Sequence, residues 1–187
     1  NNTALTYLYS HSNQLTSLDI SQNTDLYFLK CENNQLTSLD VSNNTALQHL
    51  HCYSNQLTSL DVSNDTALIA LHCQDNQLTS LDLRNGNNTN MPTFSIFFNA
   101  TNNPNLYCIN VDDVAWSTTN WTVTNGNINA QQSFATNCLP SAIEENATHK
   151  ELIKIADILS RETKGEKNEL LFYIYDDGTV EKKIIIE

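Results

Sequence analysis

The heptapeptide Asn-Gln-Leu-Thr-Ser-Leu-Asp occurs four times, at residues 13–19, 34–40, 55–61 and 76–82, always 21 residues apart. Its surroundings repeat with it. The whole unit reads L-x-x-L-x-C-x-x-N-Q-L-T-S-L-D-V-S-x-N-x-x and starts at Leu5, Leu26, Leu47 and Leu68. Self-similarity at a short, fixed period marks a solenoid. One 21-residue coil cannot bury its own leucines, but stacked coils bury them against each neighbour. The columns expected to face inward are Leu5/Leu26/Leu47/Leu68, Leu8/Leu29/Leu50/Leu71, Leu15/Leu36/Leu57/Leu78, Leu18/Leu39/Leu60/Leu81 and Ile20/Val41/Val62/Leu83. The L-x-C segment alternates with period two, so it predicts a short strand with one face buried. Equal coils then place successive strands parallel, about 4.8 Å apart. The column Asn13/Asn34/Asn55/Asn76 follows that strand, where the chain turns inward. A side-chain amide offers donors and an acceptor, which suits it to the backbone groups such a turn exposes.

The unit resembles the leucine-rich repeat, whose core is L-x-x-L-x-L-x-x-N-x-L, over roughly the first 85 residues. The resemblance implies a leucine-rich-repeat solenoid with parallel β-strands on one side and an irregular, turn-rich convex side.

Bulk properties narrow the function. The 187 residues carry 9 basic against 21 acidic side chains, a net charge of −12. That balance argues against nucleic acid, because phosphate contact needs Lys and Arg. Between residues 1 and 139 only Lys30 and Arg84 are basic. No apolar run approaches the length of about 18 residues that a transmembrane helix needs. Asn1-Asn2-Thr3-Ala4 matches Asn43-Asn44-Thr45-Ala46, so the chain opens inside a repeat and further repeats are expected upstream.

In order, residues 1–86 hold the four repeats. Residues 87–139 read as a degenerate repeat and a cap, with Leu106-Tyr107-Cys108-Ile109 as one more repeat strand behind a longer insertion. The last coil of a solenoid exposes an open sheet edge that needs covering. Trp116 to Cys138 is read as that cover. Its V-D-D, N-W and C-L-P features resemble the ends of leucine-rich-repeat proteins from Bacteroidetes. Residues 140–149 read as a linker. From 150 to 187 charge becomes dense, and Asp176-Asp177-Gly178 between two β-rich runs predicts a hairpin. This tail carries Asp157-x-x-Ser160-Arg161, Tyr173-x-Tyr175, Gly178 and Lys182-Lys183-Ile184-Ile185. It resembles the C-terminal sorting domain of the type IX secretion system of Bacteroidetes, departing from it at Ser160 and Leu170-Leu171, where that family carries glycine. The resemblance implies a small, sandwich-like β domain, recognised at the outer membrane of a Gram-negative bacterium and removed on export.

Chemistry-bearing residues mostly sit at repeat positions. Cys31, Cys52 and Cys73 share one buried strand position and read as small core hydrophobes. They lack the spacing of a zinc site. Cys108 and Cys138 lie in the proposed cap, and a disulfide between them is expected to close a loop of about 30 residues. Asp19, Asp40, Asp61 and Asp82 read as turn-closing residues, with Ca²⁺ ligation as the other reading of such a ladder. The outward strand positions vary from coil to coil while the inward ones repeat. They are Tyr7, Tyr9, His11, Phe28, Lys30, Glu32, His49, His51, Tyr53, Ile69, His72 and Gln74. Constant scaffolding with variable Tyr and His display suits a contact surface. A metal site at His49, His51 and His72 has no carboxylate in those columns to complete it. The chain carries none of the short catalytic fingerprints of hydrolases, metalloproteases or nucleotide enzymes. The expectation is therefore an exported or cell-surface binding module, not an enzyme, with no cofactor. Its partners would be a protein or glycan on the strand face and the type IX secretion machinery at the C-terminus. The alternative reading is a structural spacer, or an accessory binding part of a larger secreted protein or enzyme.

Overall fold

A computed structural model describes residues 2–138, 152–156, 170–175 and 180–184. The chain divides into two compact units, Asn1–Pro140 and Ser141–Glu187.

The first unit is a parallel-strand solenoid of leucine-rich-repeat type, about six coils long. Its first ladder stacks β1 (Tyr7–Tyr9), β2 (Phe28–Lys30), β3 (His49–His51), β5 (Ala70–His72) and β7 (Phe98–Asn99), in that order. Pairing is parallel and in strict register: Leu8, Leu29, Leu50, Leu71 and Phe98 align as one column. That column and the other inward ones form a single continuous core. Leu26, Leu29, Leu36, Leu47, Leu50, Leu57, Leu68, Leu71 and Leu78 are fully buried, whereas Leu5, Leu8, Leu15 and Leu18 of the first coil are only partly so. Fully burying a leucine contributes roughly 2 kcal/mol. The core gains that only because every coil has a neighbour.

Buried polar chemistry ties the coils together. Asn55 Nδ2 donates to the carbonyls of Cys31 in the coil before it (3.0 Å) and Cys52 in its own (3.1 Å), and its Oδ1 accepts from Leu36 N–H at 3.0 Å. Asn34 and Asn76 repeat this arrangement, and Asn103 continues it into the fifth coil. In the sixth coil Gln132 Nε2 donates to Ala100 O, in the same place. The residue just ahead of each ladder asparagine has positive φ: Ser12, Asn33, Ser54, Asp75 and Asn102 lie between 53° and 57°. Asn33, Asp75 and Asn102 belong to the few side chains that enter the left-handed region at modest cost, whereas Ser12 and Ser54 are held there by the turn.

Three features depart from the sequence expectation. The convex side is not wholly irregular. Segments β4 (Ser59–Asp61), β6 (Ser80–Asp82), β8 (Cys108–Asn110) and β9 (Ser133–Ala135) form a second parallel ladder. Leu106–Ile109 does not supply the next strand of the first ladder. Phe98–Asn99 does, and Ile109 pairs with Leu81 in the second ladder. The cap also contains a short helix, α1 (Val114–Asn120), started by Asp113, whose Oδ1 accepts from Trp116 N–H. Beyond α1, Trp121 is fully buried against Phe98, with ring centroids 4.3 Å apart, and meets Trp116 edge-on. Cys108 and Cys138 form a disulfide with Cα atoms 5.8 Å apart, which pins the end of the cap to the second ladder.

In the second unit β10 (Leu152–Ala156), β11 (Leu170–Tyr175) and β12 (Val180–Ile184) form an antiparallel sheet in that order. Antiparallel pairing of β11 with β12 is what the expected hairpin requires; its turn at Asp176-Asp177-Gly178 lies outside the described residues. The proposed linker 140–149 lies outside the described residues.

Candidate functional site: the outward face of the first ladder

Alternation along each three-residue strand turns the central leucine inward and its two neighbours outward. Parallel register then gathers the outward residues into columns. Tyr7, Phe28, His49 and Ala70 form one; Tyr9, Lys30, His51, His72 and Asn99 form the other. Strand spacing leaves aromatic side chains within contact distance, and they stack. Phe28 and His49 lie 5.0 Å apart between centroids, and His51 and His72 lie 4.4 Å apart and nearly parallel. Tyr7 and Tyr9 both approach Phe28. The result is a ribbon of rings running across four coils. Its first members, Tyr7 and Tyr9, are more than half exposed.

Electrostatics follow from this packing. Burial, with the nearby positive charge of His72 and Lys30, holds the His51 imidazole down at about 4; His49 is lowered by burial and by His72. Both rings are therefore neutral at pH 7. Lys30 Nζ sits 5.9 Å from the Tyr9 ring centroid and 5.7 Å from that of Phe28.

The third expected column behaves differently. His11 is exposed, Tyr53 and Gln74 are half-buried, and Glu32 is only 4 % exposed. Glu32 is thus not displayed as the alternation suggested. It lies just past the end of β2, where the chain turns inward between His11 and Tyr53 of the adjoining coils, and its Oε2 has no hydrogen-bond partner. Ile69 is half-buried ahead of β5, and Ala70 is buried.

Sequence reasoning missed two contributions to this face. Tyr27 occupies the repeat position of Ile69 and bridges Tyr7 and His49, 5.7 and 5.8 Å from each. Phe94 and Ile96, 66 % and 67 % exposed, stand at the far end of the ribbon. His72 Nε2 lies 2.8 Å from Ile96 O, which ties that segment to the ladder. The signal for both lay in composition: aromatic and branched apolar residues at positions the core does not need.

The aspartate ladder closes turns. Asp19, Asp40 and Asp61 accept from the N–H of Ser21, Ser42 and Ser63 through Oδ1 at 2.9–3.0 Å. The Ser21 and Ser42 side chains first, and these backbone N–H bonds second, hold Asp19 and Asp40 below the usual carboxylate range. Asp82 does the same for Arg84 N–H and also pairs with its guanidinium. Cys31, Cys52 and Cys73 are fully buried, and desolvation pushes Cys31 and Cys73 up to about 12 and Cys52 well above its ordinary value. Among the described residues no group of three or more His, Cys, Asp or Glu is placed to hold a metal ion, and no helix is long and apolar enough to cross a membrane. Of the tail residues, Tyr173 and Tyr175 lie on β11 and Lys182 and Lys183 on β12; Asp157, Arg161 and Gly178 lie outside the described residues.

Similar chains are found among solved structures. Among them is the functional domain of InlJ from Listeria monocytogenes, described as including a cysteine ladder. The two are 38 % identical with a TM-score of 0.46, and the match covers 58 % of this chain and 25 % of that one. This chain therefore spans about a quarter of that structure's length. No protein-family model matches, and neither does any curated protein.

Proposed function

We propose that the first unit is a binding module of an exported or cell-surface protein, taking a protein or glycan ligand on the ribbon of the first ladder. The observation that carries this reading is the contrast within each strand. The central leucine repeats without change, while its outward neighbours are Tyr, Phe, His and Lys arranged as a continuous stack. Core packing does not require those side chains. Rigid aromatic surface is a form of contact area that costs little side-chain entropy on binding. The test replaces His51 and Tyr53 together by Ala and compares capture on printed protein and glycan arrays with that of the parent. Loss of capture with an unchanged circular dichroism spectrum is expected. Unchanged capture returns the face to the role of a spacer.

The second unit serves export through a type IX system in this proposal. Support comes from the sorting-domain resemblance together with the antiparallel β10–β11–β12 sheet on which Tyr173, Tyr175, Lys182 and Lys183 lie. Deleting residues 150–187 is expected to strand the protein in the periplasm of a host that carries this system. Normal surface display of the truncated chain would remove the export reading and leave the ladder reading intact.

A further inference from the structure

The ribbon's charge and its far end narrow what it can hold. The whole chain carries −12, yet the three outward columns contain one acid, Glu32, which is buried. Of the exposed acids, Asp19, Asp40 and Asp61 belong to turns at or beside the second ladder, bonded to backbone N–H, while Asp25 and Asp75 flank the first-ladder strands, Asp75 accepting from Asn102 Nδ2. Lys30 and Arg84 are the two basic residues before residue 140. Arg84 is paired with Asp82, whereas Lys30 has no carboxylate partner among the described residues. Its ammonium instead rests near the Tyr9 and Phe28 rings, whose negative faces hold a cation without cancelling its charge. Phe28 and His49, and His51 and His72, stack with their faces turned to one another. Lys30 is the one lysine or arginine in these columns, and it stands beside exposed ring surface on Tyr7 and Tyr9.

At the other end the coil period lengthens. Register partners Leu50 and Leu71 are 21 residues apart, and Leu71 and Phe98 are 27 apart. The added residues include Phe94 and Ile96, exposed apolar side chains in a segment tied to His72. From Lys30 on β2 to His72 on β5 is two strand spacings, about 10 Å. Ile96 O lies against His72 Nε2, so the strand that carries Lys30 and the apolar rim are about 10–14 Å apart. An extended peptide rises about 3.3 Å per residue and alternates its side chains between two faces, so residues four apart, which share a face, span about 13 Å.

We propose that the occupant of the ribbon is an extended protein segment lying across the strands. It places an Asp or Glu carboxylate on Lys30 and an apolar side chain, four residues away on the same face of the segment, against Phe94 and Ile96. This rests on the binding-face reading and adds the partner's chemistry. The test uses the full chain and fluorescein-labelled peptides in a Ser/Thr background, carrying one Glu and one Leu four residues apart, read by fluorescence anisotropy. The Glu/Leu peptide is expected to bind, and to weaken about tenfold or more when its Glu becomes Lys or when the protein carries Lys30→Glu. Lys30→Arg should stay within about twofold of the parent, because charge is retained. The double variant Phe94→Ser, Ile96→Ser should remove the advantage of Leu over Ser in the peptide. Binding that ignores peptide charge and Lys30→Glu overturns the inference. So does capture of an oligogalacturonate by this face with no peptide binding. Where His51→Ala, Tyr53→Ala abolishes binding but Lys30→Glu leaves it unchanged, only the acidic-partner inference fails. Where neither variant alters any binding, the ladder reading fails with it.

Discussion

Replacing Asp65 by Asn should stabilise the solenoid, and by an amount that depends on pH. Asp65 occupies the third place in a second polar column, after Asn23 and Asn44. Asn44 Nδ2 donates to Ile20 O and Asn23 O of the coil before it, and Asn23 Nδ2 donates to Asn2 O. Asp65 has no amide to offer. It is fully buried, and neither carboxyl oxygen has a partner. Burial above all, with Asp61 and Asp40 adding repulsion, raises its pKa from 3.8 to about 8. A carboxyl whose folded pKa is raised leaves stability complete below pH 3.8 and erodes it as pH climbs towards 8, by about 1.4 kcal/mol per pH unit. At pH 7 the accumulated loss is about 4 kcal/mol, and at pH 5 about 1.6 kcal/mol. Asn cannot ionise, and in the geometry of Asn44 it supplies the two missing donors, each contributing about 1 kcal/mol. Urea titrations of parent and Asp65→Asn at pH 5, 6, 7 and 8 measure the difference. It should widen by roughly 2–3 kcal/mol between pH 5 and pH 7 and level off above pH 8. A difference that is the same at pH 5 and pH 8 would refute the argument, since it would mean the carboxyl does not titrate in this window.

The remaining predictions concern backbone and cap. Asn55→Ala deprives Leu36 N–H and the carbonyls of Cys31 and Cys52 of buried partners; the expected loss is about 3–5 kcal/mol, read from the urea midpoint. Ser54→Gly relieves a left-handed residue (φ 53°) and should shift thermal stability by less than about 1 kcal/mol in either direction, whereas Ser54→Val should lose more than 1 kcal/mol. Cys108→Ser with Cys138→Ser opens a loop with a sequence separation of 30 residues and should cost about 3–4 kcal/mol, with the change in melting temperature matched by adding reductant to the parent.

The core and the register were readable because the inward leucines recur without insertion through four coils, and a parallel ladder of equal coils has one register. The asparagine ladder followed from the amide's two-sided chemistry. The second ladder did not. Each Ser-Leu-Asp segment has one apolar residue between two polar ones, too short for alternation to declare a strand. The fifth coil was placed one ladder off because Leu106-Tyr107-Cys108-Ile109 imitates the spacing of the strand unit, while Phe98, the true partner of Leu71, hid in a run of aromatics. Helix α1 is seven residues long and rich in Ser and Thr, so only its Asp113 cap was a visible cue. The columns of Tyr9, Lys30, His51 and His72 were legible from strand geometry alone. Ring stacking and the burial of Glu32 were not, since both depend on side-chain rotamers and on what adjoining coils place beside each residue.

The cysteine column also bears on which disulfide forms. Thiolates perform disulfide exchange, and the closed coils keep Cys31, Cys52 and Cys73 protonated and out of reach. An oxidant meeting the assembled coils finds Cys108 and Cys138 as the available pair. An oxidant meeting the unfolded chain finds five competing sulfurs, and any bridge that captures an interior one blocks the stacking that would have sheltered it. Closing the coils over Cys31, Cys52 and Cys73 thus leaves Cys108 and Cys138 free of competing sulfurs, and winding the solenoid favours the bridge that its cap uses.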